Sequence, residues 1–265
     1  MNEFRFFDAH SHINDSRFDS DREAVLERMK ENGVGTLVVG TDRSMSEKAI
    51  ALAEKSDHLF AAIGLHPTDD EEGEIYDDTL YRQFASNPKV VAIGECGLDY
   101  SRIPVENRFE EMRRQKELFE KHIILAVSSD KPLMIHCRDA HKDMLEMLDF
   151  AKREHSEKLR GNIHFFSEGP ETAKKYFDLD FTISFTGVLT FARDYDEAVK
   201  YAPLEKILSE TDAPYVAPAP YRGKRNEPTY VSEVVKKIAE IRGEDFETVR
   251  KAMVENALRS FGLVG

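Results

Sequence analysis

The chain has 265 residues, 41% of them hydrophobic and 33% charged, a composition that excludes intrinsic disorder and supplies a sizeable core. Its 37 Lys and Arg against 50 Asp and Glu leave a formal net charge of −13, which excludes a generally basic surface. A polyanion would have to be held by local cations or by bound metal.

In chain order, the first apolar run, Phe4 to Asp8, reads as a buried strand that leads into His10-Ser11-His12. Residues i and i+2 of a strand share a face, so the two imidazoles can converge on one ion. A helical stretch follows at Asp21 to Asn32, where Ala24, Val25, Arg28 and Met29 mark one face. The second run, Thr36 to Gly40, precedes a helix at Ser44 to Lys55. The third, Leu59 to Leu65, closes in Gly64-Leu65-His66-Pro67 and is followed by a helix at Asp77 to Ser86. The fourth, Val90 to Gly94, opens onto Glu95-Cys96-Gly97-Leu98-Asp99, with a long helix at Pro104 to Ser128 behind it.

Leu133 to His136 is the fifth run, continuing into Cys137-Arg138, and Ala140 to His155 is the next helix, with Met144, Leu145 and Leu148 on its apolar face. Asn162 to Phe166 carries His164 and precedes a helix at Pro170 to Phe177. Phe181 to Phe185 and a helix at Asp194 to Tyr201 come before the eighth run, Ile207 to Glu210, which ends in Thr211-Asp212. Two helical stretches, Pro228 to Arg242 and Phe246 to Phe261, close the chain.

Strand and helix alternate eight times, and the strands are continuously apolar, as buried parallel strands are. This predicts an α/β fold, a (β/α)8 TIM barrel, as a single domain over residues 1–265. The rival is an open doubly wound sheet, but no Gly-x-Gly-x-x-Gly turn follows the first strand. The segment Met1 to Arg5 lacks the basic-then-apolar plan of a signal peptide, and no run reaches the length of a membrane span. The expectation is a cytoplasmic protein with no membrane association and no evident obligate protein partner.

In a barrel the carboxyl ends of all strands open onto one mouth. Five of the nine histidines (His10, His12, His66, His136 and His164) and the acids Glu95 and Asp212 lie at such ends. The remaining four, His58, His122, His141 and His155, read as solvated or capping residues. A nitrogen and oxygen set without thiolate suits Zn, Mn or Mg. It is too rich for one catalytic ion that keeps a position open for water, and two ions sharing a carboxylate accommodate it better. Glu95 is the natural bridge. Lys89, the nearby lysine, lies at the opposite end of its strand. Cys96 and Cys137 each follow a candidate ligand, so strand alternation turns them away, and both read as buried free thiols.

The motifs Asp8-Ala9-His10-Ser11-His12, Gly64-Leu65-His66-Pro67, Gly94-Glu95-Cys96-Gly97-Leu98-Asp99, Ile135-His136-Cys137-Arg138, Glu210-Thr211-Asp212 and Arg222-Gly223-Lys224-Arg225-Asn226-Glu227-Pro228 span nearly the whole chain. In that order and spacing they resemble the TatD family of metal-dependent hydrolases, of the amidohydrolase-like barrel group. The resemblance implies His10, His12 and Asp212 with Glu95 around one divalent cation, and Glu95, His136 and His164 around a second. It implies that His66 lines the site as a phosphate contact or supporting group, and that the activity is a 3′–5′ exonuclease on DNA, in some members also on RNA. Two places depart from the family pattern. His164-Phe165-Phe166-Ser167-Glu168-Gly169 stands where His-Cys-Phe-Ser-Gly is usual, and Ile183-Ser184-Phe185-Thr186-Gly187 is bulkier than usual.

The expected reaction is metal-assisted attack of water on a phosphodiester of a single strand or strand end, with Asp212 orienting the water and taking its proton. Arg138 is expected to reach the phosphate. Arg222, Lys224 and Arg225 place three cations in four residues of an acidic protein. A solvated loop is the default for such a run, but its position after the eighth strand points to phosphate contact. Pro214, Pro218 and Pro220 stiffen the approach. The alternatives are two-metal hydrolysis of an amide, ester or lactone, including an aminoacyl-tRNA, and, last, a non-catalytic nucleic-acid-binding protein with a vestigial site.

Overall fold

The computed structural model describes residues 4–68, 74–101 and 103–263. The stretch Met1 to Glu3, read above for a targeting signal, lies outside them. Eight strands form one parallel sheet in sequence order: β1 (Phe6–Ser11), β2 (Val34–Val39), β3 (Leu59–Ile63), β4 (Val90–Asp99), β5 (Leu133–Arg138), β6 (Gly161–Ile163), β7 (Thr182–Phe185) and β8 (Ile207–Ser209). Beyond β8 the chain returns to β1. His12 N–H donates to the Ala213 carbonyl at 2.7 Å, and Asp212 N–H donates to that of His10 at 2.9 Å. The architecture is the (β/α)8 barrel.

The outer layer comprises α1 (Arg22–Glu31), α2 (Arg43–Ala53), α3 (Asp78–Ala85), α4 (Arg108–Ser129), α5 (His141–His155), α6 (Pro170–Asp178), α7 (Asp196–Tyr201), α8 (Val231–Arg242) and α9 (Phe246–Ser260). Asp42, Asp77 and Asp245 cap the starts of α2, α3 and α9 by accepting from backbone N–H groups in the first turn. On α1 the buried positions are Val25 and Met29, while Ala24 is exposed.

Why the strands read as continuously apolar is visible in two packed clusters. Val38, Ala61, Ile63, Ile93, Ile135, Ile163, Ile183 and Ile207 face the helices. Phe7, Ala9, Leu37, Val39, Ala62, Ala92, Met134 and Leu208, drawn from six strands, meet inside the ring, where Val254, Ala257 and Phe261 join them. Every strand thus buries both faces.

Two irregularities position the site. The pairing of β1 with β2 slips between Asp8 and Ser11, and that of β4 with β5 slips between Ile93 and Cys96. Such bulges re-aim side chains at barrel rims. The second depends on glycine, since a Cβ at Gly97 would lie 2.0 Å from the His136 carbonyl oxygen.

One expectation is corrected here. His122 is no solvated histidine, for it is fully buried on α4. Its Nδ1 faces the Leu118 carbonyl at 2.9 Å, and its Nε2 accepts from Leu65 N–H at 3.0 Å. His141 is half-buried, with its Nδ1 2.8 Å from the Tyr176 hydroxyl. Burial pushes the His122 imidazole down from 6.5 to about 4. The unfolded chain therefore binds a proton that the folded chain refuses as pH falls through this window. This contribution to stability is complete above pH 6.5 and shrinks toward pH 4, by about 2 kcal/mol at pH 5. Urea unfolding at pH 7 and pH 5 should give a decline smaller by that amount in His122→Gln than in wild type. Equal declines would mean that His122 titrates as an ordinary surface histidine.

Candidate metal centre

At the carboxyl ends of the strands the seven expected side chains converge. His10 lies on β1 and His12 one residue past it; Glu95 leaves the bulge of β4, His136 belongs to β5, and His66, His164 and Asp212 follow β3, β6 and β8. Six of them line a cavity of about 700 Å³. His10 sits just beneath it, fully buried, with Nε2 3.1 Å from that of His12 and its ring stacked on His164 at 3.9 Å.

Glu95 is the centre of the arrangement, and its two oxygens face different groups. Oε2 lies 3.4 Å from His10 Nε2 and 3.6 Å from His12 Nε2. Oε1 lies 2.9 Å from His164 Nε2, 3.1 Å from His136 Nδ1 and 3.5 Å from His66 Nε2. Asp212 Oδ1 completes the first group, 3.5 Å from His12 and 3.8 Å from His10. Burial alone would raise the Glu95 carboxyl, but His164, His66 and His10 hold it well below the ordinary range.

The rings are aimed by their far nitrogens. His12 Nδ1 faces the Val39 carbonyl at 3.1 Å, and His136 Nε2 faces Asp99 Oδ2 at 3.0 Å. His164 Nδ1 faces Glu210 Oε1 at 3.3 Å. With protons on those far nitrogens, neutral rings present lone pairs to the cluster, the state in which imidazole binds metal. Burial depresses His10 to about 4 and His66 to about 3, which favours their neutral forms. His12, His136 and His164 go the other way. Against burial, Asp212 and Glu95 raise His12, Asp99 and Glu95 raise His136, and Glu95 and Glu210 raise His164 well above the usual value, so a cation entering this group would displace protons.

The donor set fits divalent cations. Three groups, His10-His12-Asp212, His10-Glu95-His164 and His66-Glu95-His136, each bring three ligand atoms within 4.8 Å of one another. All are nitrogen or carboxylate oxygen, and no thiolate takes part, since Cys96 and Cys137 are buried free thiols that burial pushes up from their usual range. Lys89 is engaged far away, with Nζ 2.7 Å from the Ser56 carbonyl.

Arg138 lines the same cavity and is exposed. The basic loop is placed otherwise. Arg225 is held by Asp21 through two bonds of 2.7 Å and stacks over Phe18 at 4.2 Å. That guanidinium is held in a partly exposed ion pair. Arg222 donates to the Ala217 carbonyl at 3.0 Å and lies over Phe191 at 3.8 Å. Lys224 is exposed, and none of the three is among the described residues that line the cavity.

Two carboxylates went unassigned in the sequence. Asp99, four residues after Glu95, is kept below the ordinary range despite burial by hydrogen bonds with His136 and Ser101. Glu210, fully buried, also accepts from Phe165 N–H at 2.7 Å and from the Ser184 hydroxyl at 2.6 Å. Their signal was membership in the strand-end motifs themselves.

Residues 7–262 match the family model described as TatD related DNase. The chain is 39% identical over 260 residues to the uncharacterized metal-dependent hydrolase YabD of Bacillus subtilis, covering 96% of this chain and 98% of that one. It is 33% identical over 267 residues to the 3′-5′ ssDNA/RNA exonuclease TatD of Salmonella typhimurium, covering 97% and 99%. Among solved structures, the TatD homolog YjjV from Escherichia coli K12 superimposes with a TM-score of 0.88 at 28% identity, over 97% of this chain and 98% of that one.

Proposed function

Because this chain belongs to the TatD family of metal-dependent hydrolases, we propose that it is a 3′–5′ exonuclease acting on single-stranded DNA ends with two divalent cations. The observation that carries the reading is Glu95, which turns one oxygen to His10 and His12 and the other to His136 and His164. A carboxylate so divided suits a bridge between two cations. His10, His12 and Asp212 would hold one and His136 and His164 the other, with Zn, Mn and Mg all compatible with the donors. When bound, such a pair acidifies water and withdraws charge from phosphoryl oxygens.

The chain's own groups supply the rest. Asp212 orients the attacking water through its second carboxylate oxygen and receives its proton. His66 accepts the Thr68 N–H at Nδ1, 3.3 Å away, so the neutral ring carries its proton on Nε2 and can donate it to a phosphate oxygen. Arg138 offers a fork of donors to the same phosphate from the exposed side of the cavity. Asp99 and Glu210 fix the His136 and His164 rings.

The reading is supported by relatives named as 3′-5′ ssDNA/RNA exonucleases, which do not favour amide, ester or lactone hydrolysis. Metal-reconstituted protein should release mononucleotides stepwise from the 3′ end of a 5′-labelled single strand. The appearance of internal fragments, or an intact strand after chelation is reversed, would contradict it.

A further inference from the structure

The described residues around the cavity include four acids, Asp15, Glu95, Asp99 and Asp212, against one permanent cation, Arg138. With a net charge of −13, the protein has no generally basic surface to supply the many phosphate contacts from which sequence-independent affinity usually comes. A single strand can be gripped differently, by stacking a base on an aromatic face, since every base has one.

Phe165 is placed for this. It departs from the family pattern and sits beside the cluster, while its neighbour Phe166 goes the opposite way. Phe166 is buried edge-on against Tyr176 and Phe185, with ring centroids 6.2 Å apart in each case. Phe165 is half-buried and lines the cavity, its ring perpendicular to that of His164 at 6.1 Å. Its φ of +47° lies in the left-handed region that bulky side chains seldom enter. The conformation is anchored by the bond from Phe165 N–H to Glu210 Oε1, 2.7 Å, and the same oxygen faces His164 Nδ1. One buried carboxylate therefore fixes both a candidate ligand and a half-buried ring at the cavity wall. Strain of this kind, held by surrounding structure, gathers at functional sites. The other rings at the mouth are engaged, Tyr215 under the Arg17 guanidinium at 4.2 Å and Tyr195 against the outer core.

We propose that Phe165 is the platform on which the base of the 3′-terminal nucleotide stacks while its phosphodiester lies at the Glu95 cluster. The assignment rests on the exonuclease reading above and adds a selection rule: an unpaired terminal base has a face to give, whereas a base inside a duplex has both faces covered.

The test uses two single-stranded oligodeoxynucleotides that differ only in whether the 3′-terminal nucleotide keeps its base. For the intact end, Phe165→Ala and Phe165→Leu should raise KM roughly ten- to a hundredfold at nearly unchanged kcat, and Phe165→Trp should restore it. On the baseless end, wild type and variants should coincide. Equal losses on both strands, or a leucine variant as good as wild type, would overturn the platform and leave Phe165 as a support for His164. Binding of the same strands in Ca²⁺, followed by anisotropy, separates the two readings. Ring-dependent preference for the intact end without any cleavage would sink the nuclease and keep the platform. Cleavage of both strands with ring-independent KM would do the reverse.

Discussion

Glutamine in place of Glu95 is expected to slow nucleotide release by at least about a thousandfold and to reduce bound metal from two ions to one or none. The substitution keeps size and shape but replaces one oxygen by an NH2 group. Whichever way the amide turns, that group meets histidine nitrogens. In one orientation it points at His10 and His12, in the other at His136, His164 and His66. An amide nitrogen carries no lone pair for a cation, so one side of the bridge is lost in either case. Single-turnover rates with labelled strands, together with metal content by elemental analysis, check this. A variant retaining two ions and the wild-type rate would show that the carboxylate is not the bridge.

Asparagine in place of Asp212 should act on a different part of the reaction. The residue has a φ of 54°, a conformation that asparagine tolerates as well as aspartate, and its N–H donates to the His10 carbonyl. The backbone at the closing seam of the barrel is therefore left alone. What disappears is a carboxylate oxygen able to take a proton from water. Loss of a positioned general base costs about 10²- to 10⁴-fold in rate. The expected result is a fall in kcat within that range, little change in KM, and a smaller loss of bound metal than in Glu95→Gln. If metal and rate fall together in titrations that follow both, Asp212 is a ligand without a role in proton transfer.

The eight strands were readable because each buries both faces and so is written as an unbroken apolar run. The strand ends were readable because histidine is scarce and five of nine fell at equivalent places. Boundaries shifted where chemistry intervenes, with β1 running on to Ser11 and β4 to Asp99 through bulges that apolar periodicity does not report. Asp99 and Glu210 escaped assignment for a related reason. A carboxylate that aims a histidine looks the same in sequence as one that faces water. The pairing of Arg225 with Asp21 was not legible because Asp21 lies 204 residues earlier, beyond the reach of any local charge pattern. His122 was misread because it falls within a helix, and its acceptor role toward Leu65 arises only when α4 packs against the segment after β3.

The inner cluster that six strands share with Val254, Ala257 and Phe261 stoppers the ring from below. A polymer cannot pass through such a barrel as a thread passes through a bead. On the exonuclease reading proposed above, a strand must reach the ligands from the open mouth and leave by the same side, since the stopper leaves no exit beneath them.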